Sequence, residues 1–498
     1  MLDSTGLQFT VGVGDLPDDT FRVYEFEVVE ALSDVFTLNL TAFSKASQVA
    51  PAEVLQQEMI LRIYQDGRLL RQFRGVVAEF CRGAVGHHRT RYQMVIRPTL
   101  WRLGLGRNSR IFQHKDTEAI VRVLLDEYGV TGTRFNLVRT PEEREYCVQY
   151  RESDLAFLQR LAAEEGWHFR IEHGPESSEF VIADHHRDSL KLDKAPYNAM
   201  AGGSSRQSCI TRFDTTERVG VAGVVMKDYT FRNPASGLDH MGMASGLKHQ
   251  RPDYEHYDYP GRYKQDASGE PFARARLDGL RRNVSTASGE SNRADFTAGA
   301  CVPLEDHFDE ASNIEWLLTG VTHHGVQPQA LEEEAGGEPT TYGNRFTAVP
   351  ATVNWCPRND NCRPVMDGPQ IARVTGPVGE EIYCDDHGRV KVWFPWDRYG
   401  TDDEHSSAWL RVSQGWAGGQ YGFMALPRVG HEVIVSFLDG DPDQPIITGR
   451  TYHATNTPPY SLPATEEHQT FFNCPDVRDL VVGELQTLLP DIHSKLGG

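Results

Sequence analysis

The segment HEVIVSFL at residues 431–438 is apolar on both sides of a predicted strand. Val433 and Val435 point one way and Ile434 and Leu438 the other, because successive side chains of a strand alternate. Neighbouring segments are equally short and apolar, which is typical of a small closed barrel of the OB type. Such a barrel buries only its inner face by itself. Burying a large apolar side chain contributes about 1.5–3 kcal/mol, so the outer face requires a covering surface.

We predict that this covering surface is another copy of the same barrel. The segment GRVKVWFPWD repeats the pattern of large apolar side chains on both faces, including Trp393 and Trp396. Soluble homo-oligomers commonly bury such a shared patch against its own copies. The barrel is assigned to residues 370–462, after a Pro-containing linker at 351–369.

The barrel segment contains the acidic turn FLDGDPDQPIITGR, in which Asp439, Asp441 and Asp443 alternate as in a calcium-binding loop. An EF-hand loop also needs glycine at its sixth position and a bidentate glutamate at its twelfth. Those positions hold Gln444 and Arg450. The segment is therefore predicted to be a turn between two strands and not a metal site.

The first hundred residues alternate with period two, as in RVYEFEV around Phe26, which predicts antiparallel strands. Two helices follow in the sequence. DTEAIVRVLLDEYG has Asp116 as its N-cap, and SDLAFLQRLAAEEG is capped by Ser153 and ended by Gly166. We therefore expect a mainly β fold with some α, in which residues 1–350 form two barrel-like subdomains with inserted helices.

Charge and hydropathy exclude several partners. The net charge of −20 argues against nucleic acid, because binding phosphates requires concentrated Lys and Arg. The modest basic cluster Arg274, Arg276, Arg281 and Arg282 is predicted to be a solvated helix face. The sequence has no secretory signal and no run of about eighteen apolar residues, so no stable membrane anchor is expected.

Signatures of catalysis and metal binding mostly fail. HEVIV begins like a zincin helix, but Val435 stands where the second histidine should be. Neighbours on a strand face opposite sides, so a histidine doublet does not easily hold one metal. The doublets are His87 with His88, His185 with His186, and His323 with His324. The carboxylate pairs Glu164 with Glu165 and Asp385 with Asp386 are expected at the surface or in turns. We predict no catalytic residue, metal or cofactor.

Three long segments carry a family resemblance. They are YCVQYRESDLAFLQRLAAEEGWHFRIEH (146–173), GPVGEEIYCDDHGRVKVWFPWDR (376–398) and SSAWLRVSQGWAGGQYGFMALPRVGHEVIVSFLDGDPDQPIITGRTYHATNTPPYSLP (406–463). In this order they resemble the hallmark segments of VgrG, the spike protein of type VI secretion systems. The resemblance extends over residues 5–463. It implies a phage tail-hub-like region followed by an OB-fold spike base.

The resemblance also implies partners and a mechanical role. VgrG-like proteins are homotrimers seated on the hexameric Hcp tube, with baseplate proteins and an effector, adaptor or tip protein as further partners. A trimer would cover the outer face of the barrel, and the trimer-core candidates are Val390, Val392, Trp393, Trp396, Ile434 and Leu438. Sheath contraction would drive the spike forward. We therefore expect a non-enzymatic protein that is cytoplasmic when assembled and secreted into the target cell or medium on firing.

The tail at residues 463–498 departs from the family pattern, because members usually continue into a repetitive β-helical shaft and no repeat is visible in these residues. A shaftless chain is therefore expected. Asp476 is predicted to cap a helix over 476–489. Its apolar stripe consists of the docking candidates Val477, Val481, Leu485 and Leu488. The stripe is interpreted as packing on the spike itself, as docking an effector, adaptor or tip protein, or as part of a frayed or truncated end.

Other function classes are weighed against the spike. A spike with hydrolase activity needs an inserted or appended domain, for which the tail is too short. An OB module that binds oligosaccharide or nucleic acid is the second alternative, and the acidic charge disfavours the nucleic acid. A phage or tailocin baseplate hub and a shaftless VgrG-derived effector adaptor are the remaining alternatives. A native mass of three chains favours the spike, and a stable monomer favours the adaptor.

Overall fold

A computed structural model describes residues 6–459 except 47, 86–88, 201–207, 236, 248, 332–337 and 360–362. The chain divides into two compact units. The first ends at Pro364 and the second begins at Val365, within the segment predicted as a linker.

Strands dominate the first unit. In chain order they are β1 (Leu7–Val13), β2 (Arg22–Ala31), β3 (Thr37–Ser44), β4 (Glu58–Gln65), β5 (Arg68–Val85), β6 (Thr90–Arg97), β7 (Asn108–Lys115), β8 (Thr133–Asn136), β9 (Arg144–Glu152), β10 (His168–His173), β11 (Ser178–Ala183), β12 (Ala195–Pro196), β13 (Ile210–Glu217), β14 (Gly223–Asp228), β15 (Leu238–Met243), β16 (Glu255–Asp258), β17 (Ser285–Ser291), β18 (Cys301–Glu305), β19 (Glu315–Val326) and β20 (Thr341–Pro350). The helices of this unit are α1 (Thr117–Glu127), α2 (Asp154–Glu165) and α3 (Asp266–Arg281).

One large sheet runs through the first unit in the order β1-β4-β5-β6-β3-β2-β19-β20-β17-β13, and β18 attaches β12 to β19. Strands β2 and β19 pair antiparallel, with Ala31 opposite Gly320 and Glu25 opposite Val326. The predicted N-terminal strands are confirmed. Their union with strands from the end of the unit was not visible in the sequence, because alternation specifies a strand's faces but not its neighbour.

The period-two pattern matches the observed burial. Phe26 and Val28 of β2 are buried, whereas Glu27 between them is exposed. Gly325 of β19 lies directly against the Phe26 ring, and a Cβ at this glycine would come within 2.3 Å of Phe26 Cε1. Any larger residue there would displace the ring, since the close-packed interior leaves no room for such a contact.

The two predicted helices and their caps are confirmed. The Asp116 carboxylate accepts a hydrogen bond from the Ala119 amide at 2.7 Å, and Ser153 Oγ accepts one from the Ala156 amide at 3.2 Å. Gly166 ends α2 in the left-handed conformation with φ of 77°. These signals are local, so the sequence alone specifies them.

The third helix corrects the prediction of a solvated basic face. Arg274 is exposed as expected, with 55% of its side chain accessible. Arg276 instead turns inward, where only 21% of its side chain is accessible and Nη2 lies 3.2 Å from Asp258 Oδ2. Arg281 donates to the Val221 carbonyl at 2.5 Å. Residues two positions apart on a helix lie on different faces, so the cluster is divided between solvent and interior.

The second unit is a small closed barrel. Its strands are β21 (Gln370–Thr375), β22 (Lys391–Trp393), β23 (Arg411–Val412), β24 (Trp416–Gly418), β25 (Tyr421–Phe423), β26 (Glu432–Phe437) and β27 (Pro445–Thr451). Five of them form a sheet in the order β22-β21-β26-β27-β23. Val390 and Leu410, just before β22 and β23, exchange two backbone hydrogen bonds of 3.0 and 2.8 Å. This bridge joins the two edge strands, which closes the barrel.

Two apolar segments of the barrel contribute no strand to its five-stranded sheet. EIYCDD contributes only an isolated bridge at Cys384, and FMALP leaves regular structure after Phe423. Short apolar runs are ambiguous for this reason, since periodicity cannot distinguish a strand from an extended buried loop.

Two observations concern cysteines and membranes. The described cysteines carry free thiols, at Cys81, Cys147, Cys209, Cys301, Cys356 and Cys384. Across the part of the chain that the structure describes, no helix is both long enough and apolar enough to span a bilayer.

Candidate assembly surface

The barrel interior is complete within one chain. Val390 and Val392 are fully buried in it, together with Phe394, Val433 and Val435. Two of the six predicted trimer-core residues, Val390 and Val392, therefore belong to the barrel's own core. Their burial needs no second copy, because Val390 sits at the closing bridge and Val392 faces inward from the adjoining strand.

Of the other four candidates, Trp393 and Ile434 lie on the outer face, Leu438 lies in the turn after β26, and Trp396 packs against the core residue Phe394. Trp393 follows the inward Val392, and the Arg373 guanidinium lies 5.8 Å from the centre of its ring. The indole Nε1 of Trp393 is buried and makes no hydrogen bond to any described residue. Trp396 stacks on Phe394 with ring centres 4.9 Å apart. Ile434 is half-buried between the inward residues of β26, and Leu438 is 46% exposed.

The predicted two-sided strand is confirmed as far as residue 437. Leu438 does not continue β26 but begins a short 3₁₀ turn, Leu438–Gly440. A role of these four side chains at a trimer core remains a prediction. Ile371 adds to the apolar outer surface of the barrel, because 44% of its side chain is accessible although β21 lies between two other strands of the sheet.

An aromatic hairpin projects from the barrel between β23 and β26. Strands β24 and β25 pair Trp416 with Phe423 and Gly418 with Tyr421. The rings of Trp416 and Tyr421 meet edge to face at 5.7 Å, yet both side chains are 64% exposed. A Cβ at Gly418 would lie 2.4 Å from the Tyr421 ring, so a larger residue there would displace this exposed ring.

This aromatic hairpin is a candidate contact surface that the sequence reasoning missed. Phe423 and Met424 are also more than half exposed. Large exposed apolar groups in one place mark interaction sites more often than scattered ones do. The signal was present in WAGGQYGF, where aromatic residues alternate with glycines that provide no covering side chain.

The acidic turn forms a local hydrogen-bonded corner. The Asp441 carboxylate accepts from the Asp443 amide at 3.0 Å, and the Gln444 amide donates to the Asp441 carbonyl at 2.9 Å. Asp439 adopts a left-handed φ of 53°. The predicted turn between β26 and β27 is confirmed. Within the described ranges, no group of three or more His, Cys, Asp or Glu side chains is arranged to hold a metal ion.

The two carboxylate pairs differ in burial and location. Asp385 lies in a turn, where it accepts from the amides of His387 and Arg389. The expected surface role of Glu164 and Glu165 is wrong, because both are buried, with 7% and 6% accessibility.

An ion-pair network explains the burial of Glu164. Its carboxylate lies 2.9 Å from Arg144 and 3.7 Å from Arg160, and it also contacts Arg363. Burial alone would raise the pKa of the Glu164 carboxyl, but the three guanidinium groups hold it well below its usual range. Arg160 lies four residues before Glu164 on α2, whereas Arg144 and Arg363 come from segments outside this helix, which no local sequence pattern indicates.

The doublet on β19 separates as strand geometry predicts, whereas His185 and His186, which do not lie in a strand, stay in contact. His323 is fully buried, whereas half of the His324 side chain is accessible. His185 and His186 stack with ring centres 4.6 Å apart. The pair His87 and His88 lies outside the described residues.

His323 belongs to a buried polar network across the large sheet. Burial raises the pKa of the Tyr342 hydroxyl, so the hydroxyl stays protonated and donates to His323 Nδ1 at 2.7 Å. Burial lowers the pKa of His323. The neutral ring then donates from Nε2 to Glu30 Oε1 at 3.3 Å, and Arg71 lies 3.4 Å from the same oxygen.

Two family models match the two units. Residues 29–329 match the phage tail baseplate hub (GPD), a span that covers more than half of the chain. The chain belongs to the phage tail baseplate hub family. Residues 374–452 match the type VI secretion system/phage-baseplate injector OB domain. The predicted hub region followed by an OB-fold barrel is therefore confirmed as a fold.

Curated relatives of this hub-family chain are named as spike proteins. It is 45% identical over 474 residues to the type VI secretion system spike protein VgrG3 of Vibrio cholerae, covering 93% of the chain and 46% of the relative. It is 42% identical over 459 residues to VgrG2a of Pseudomonas aeruginosa, with 91% and 54% covered. The resemblance to VgrG is confirmed. The chain spans about half the length of the curated relatives it matches.

A third relative carries a different name. The actin cross-linking toxin VgrG1 of Vibrio cholerae is 44% identical over 474 residues, covering 93% of the chain and 43% of the relative. The names of relatives thus include both spike proteins and a toxin. Spike is the name that VgrG3 and VgrG2a share.

Solved structures confirm the fold. The Escherichia coli c3393 protein is described as a component of the type VI secretion system with structural similarity to T4 tail proteins gp27 and gp5. It superposes on this chain with a TM-score of 0.65 at 21% identity, covering 89% of this chain and 99% of the c3393 chain. The half-lidded Francisella PdpA-VgrG complex gives 0.61 at 8% identity, with 91% and 79% covered.

The predicted tail helix over 476–489 lies outside the described residues. Its docking candidates Val477, Val481, Leu485 and Leu488 therefore remain predictions from sequence.

Proposed function

We propose that this chain is the spike subunit of a type VI secretion system. Three copies associate through the outer faces of their OB barrels, and the trimer sits on the Hcp tube. The trimer forms in the cytoplasm and is secreted on firing. Its role is mechanical and not enzymatic. The support is the 45% identity to a protein named as such a spike, together with the apolar outer face of the barrel.

The apolar outer face of the barrel supports the proposal, because covering it from water would stabilise an assembly. Ile371 and Leu438 are 44% and 46% exposed, and Ile434 and Trp393 are only half-buried in a single chain. Covering a large apolar side chain contributes about 1.5–3 kcal/mol for full burial, so a partly exposed one gains roughly half of that. Over three copies, four such residues supply on the order of 10 kcal/mol, enough for a stable assembly.

The experiment is the native mass of the full-length chain by light scattering. We expect three chains of 56.0 kDa each. Ile434→Glu places a carboxylate on the proposed interface and should reduce the mass to that of one chain. Val219→Glu is the matched control, since Val219 is an exposed apolar residue of the first unit, 65% accessible, and should leave the trimer intact.

Either of two results refutes the trimer. One is a wild-type chain that is monomeric at micromolar concentration. The other is a trimer that Ile434→Glu and Leu438→Glu both leave unchanged, with circular dichroism confirming that each variant is folded. A monomer would favour the effector-adaptor role in place of the spike.

Effector, adaptor or tip binding is assigned to the tail as a proposal. Deleting residues 464–498 is expected to abolish cargo association while the trimer persists. A truncated trimer that still retrieves its cargo would show that the apolar stripe packs on the spike itself. Hcp and baseplate proteins remain proposed partners of the first unit.

A second candidate role is a hub in a phage or tailocin baseplate. The specific observation in its favour is the family model, which is named for the phage tail baseplate hub and matches 29–329. The two roles differ in the tube that the hub contacts. Binding of the purified trimer to Hcp rings in a pull-down favours secretion, and its failure alongside binding to a phage-type tail tube protein favours the baseplate.

A further inference from the structure

The turn between β10 and β11 is fixed to strand β5 by three polar contacts. The Arg74 amide donates to His173 Nδ1 at 3.2 Å, and the Arg74 guanidinium donates to the Pro175 carbonyl at 2.6 Å. The side-chain amide of Gln72 donates to the Gly174 carbonyl. These three contacts are called the latch below, because together they hold the end of the β10–β11 hairpin against the strand.

The His173 ring is the central part of the latch. It packs edge to face on Phe36 and Phe73, with ring centres 5.1 and 5.4 Å apart. The residue as a whole is half-buried, but its Nε2 is enclosed and makes no hydrogen bond to any residue that the structure describes. Since Nδ1 accepts the Arg74 amide proton, the neutral ring carries its own proton on Nε2. A second proton can therefore enter only at Nδ1, the atom that contacts β5.

The charges around this ring disfavour its protonation. Arg71 and Arg74 of β5 and His323 of β19 face it, and Glu30 of β2 opposes them. Glu30 is already engaged by Arg71 at 3.4 Å and by His323 at 3.3 Å, and Glu58 of β4 pairs with Arg74 at 3.1 Å. Burial of the ring, followed by Arg71, lowers the pKa of this histidine from 6.5 to about 3. A proton on the ring is therefore unfavourable while the latch is closed.

Ser178 offers the protonated ring a different partner. It lies directly opposite His173 in the β10–β11 pair, and its Oγ is 3.1 Å from Nδ1. A hydroxyl oxygen can accept a hydrogen bond from a protonated Nδ1, whereas the Arg74 amide is itself a donor and cannot. The proton thus exchanges a contact between β10 and β5 for one within the β10–β11 hairpin.

We propose that the latch is an acid-sensitive switch, in which a proton on His173 Nδ1 releases residues 173–175 from β5. At neutral pH the ring is uncharged and the latch is closed. The sign follows from the lowered pKa, because the closed latch binds this proton less readily than the open one. Closure is therefore fully favoured above pH 6.5 and weakens as the pH falls toward about 3. Between pH 7 and pH 5 the ratio of open to closed latch rises about twentyfold.

The test is hydrogen exchange of the full-length chain, measured by mass spectrometry at pH 7 and pH 5 and corrected for the intrinsic pH dependence of exchange. Peptides that contain the Arg74 amide report on the latch directly, since this amide donates to the ring. We expect its opening to increase about twentyfold at pH 5. In His173→Asn the increase should be less than about twofold, because the asparagine oxygen can accept the same amide proton but does not titrate.

Two matched variants separate the switch from general sensitivity to acid. His324→Gln removes a half-exposed histidine from β19 and should retain the increase of about twentyfold. Ser178→Ala removes the alternative acceptor and should reduce the increase, while its circular dichroism and its exchange at pH 7 stay those of the wild type.

Three results would overturn the proposal. The first is a wild-type opening that changes less than about threefold between the two pH values. The second is an equal increase in the wild type and in His173→Asn, with circular dichroism at pH 7 confirming that the variant is folded. The third is an increase that Ser178→Ala leaves unchanged, which would refute the exchange of partners.

Discussion

Replacing Glu30 by glutamine is expected to lower the free energy of unfolding at pH 7 by about 3 kcal/mol. The Glu30 carboxylate is 6% exposed and accepts from His323, Arg71 and the Ala298 amide. Burial alone would raise the pKa of this carboxyl, but Arg71 and His323 outweigh it and lower the pKa from 4.5 to about 2. Each pKa unit corresponds to about 1.4 kcal/mol, which gives the expected loss.

The pH dependence has a defined sign. The folded pKa of Glu30 lies below the unfolded value, so its contribution is fully present above pH 4.5 and is lost as the pH falls toward about 2. Glu30→Gln has no such group to protonate. The stability difference between wild type and variant should therefore shrink progressively below pH 4.5.

Glu25→Gln is the matched control on the same strand. Glu25 lies 3.2 Å from His324, but the two side chains are 46% and 50% exposed. An exposed pair of this kind contributes only about 0–1 kcal/mol. Urea unfolding at pH 7, 5 and 3 measures both variants, and hydrogen exchange by mass spectrometry assigns the transition to β2 and β19. Equal losses in the two variants, or a Glu30→Gln loss under about 1 kcal/mol at pH 7, would refute the reasoning.

Two further predictions concern the first unit. Gly325→Ala should destabilise it by about 1–3 kcal/mol, because the new Cβ meets the Phe26 ring. Gly343→Ala on the adjacent strand is the control, since the nearest atom there is 3.9 Å from the added Cβ. It should change the midpoint of thermal denaturation little. His168 is buried, and its burial together with Arg170 lowers its pKa from 6.5 to about 3. The wild type therefore loses stability as the pH falls below 6.5. His168→Phe should lose about 3 kcal/mol less free energy of unfolding between pH 7 and pH 4 than the wild type does. Urea midpoints at the two pH values measure this, and parallel losses in both proteins would contradict it.

Local signals carried the sequence predictions that the structure confirms. Asp116, Ser153 and Gly166 specify helix ends through contacts within a few residues, so the sequence alone located them. The alternation around Phe26 likewise assigned the faces of β2.

The predictions that failed depend on distant segments. Glu164 and Arg276 were expected in solvent, but each is enclosed by residues far away in sequence, including Arg363 and Asn359. In the barrel, both faces of the strand at Val392 and Trp393 are apolar, so hydropathy could not say which face points inward. Closure through Val390 and Leu410 decides it.

The pairing of β2 with β19 has a consequence for synthesis of the chain. Ala31 lies opposite Gly320, so the ribosome must add about 290 residues before β2 gains its second neighbour, roughly 15–60 s at ordinary elongation rates. During that time β2 is an open sheet edge, which is a site for pairing with other nascent chains. Glu25 and Glu27 lie along this edge and are positioned to act as gatekeepers against aggregation on the polysome.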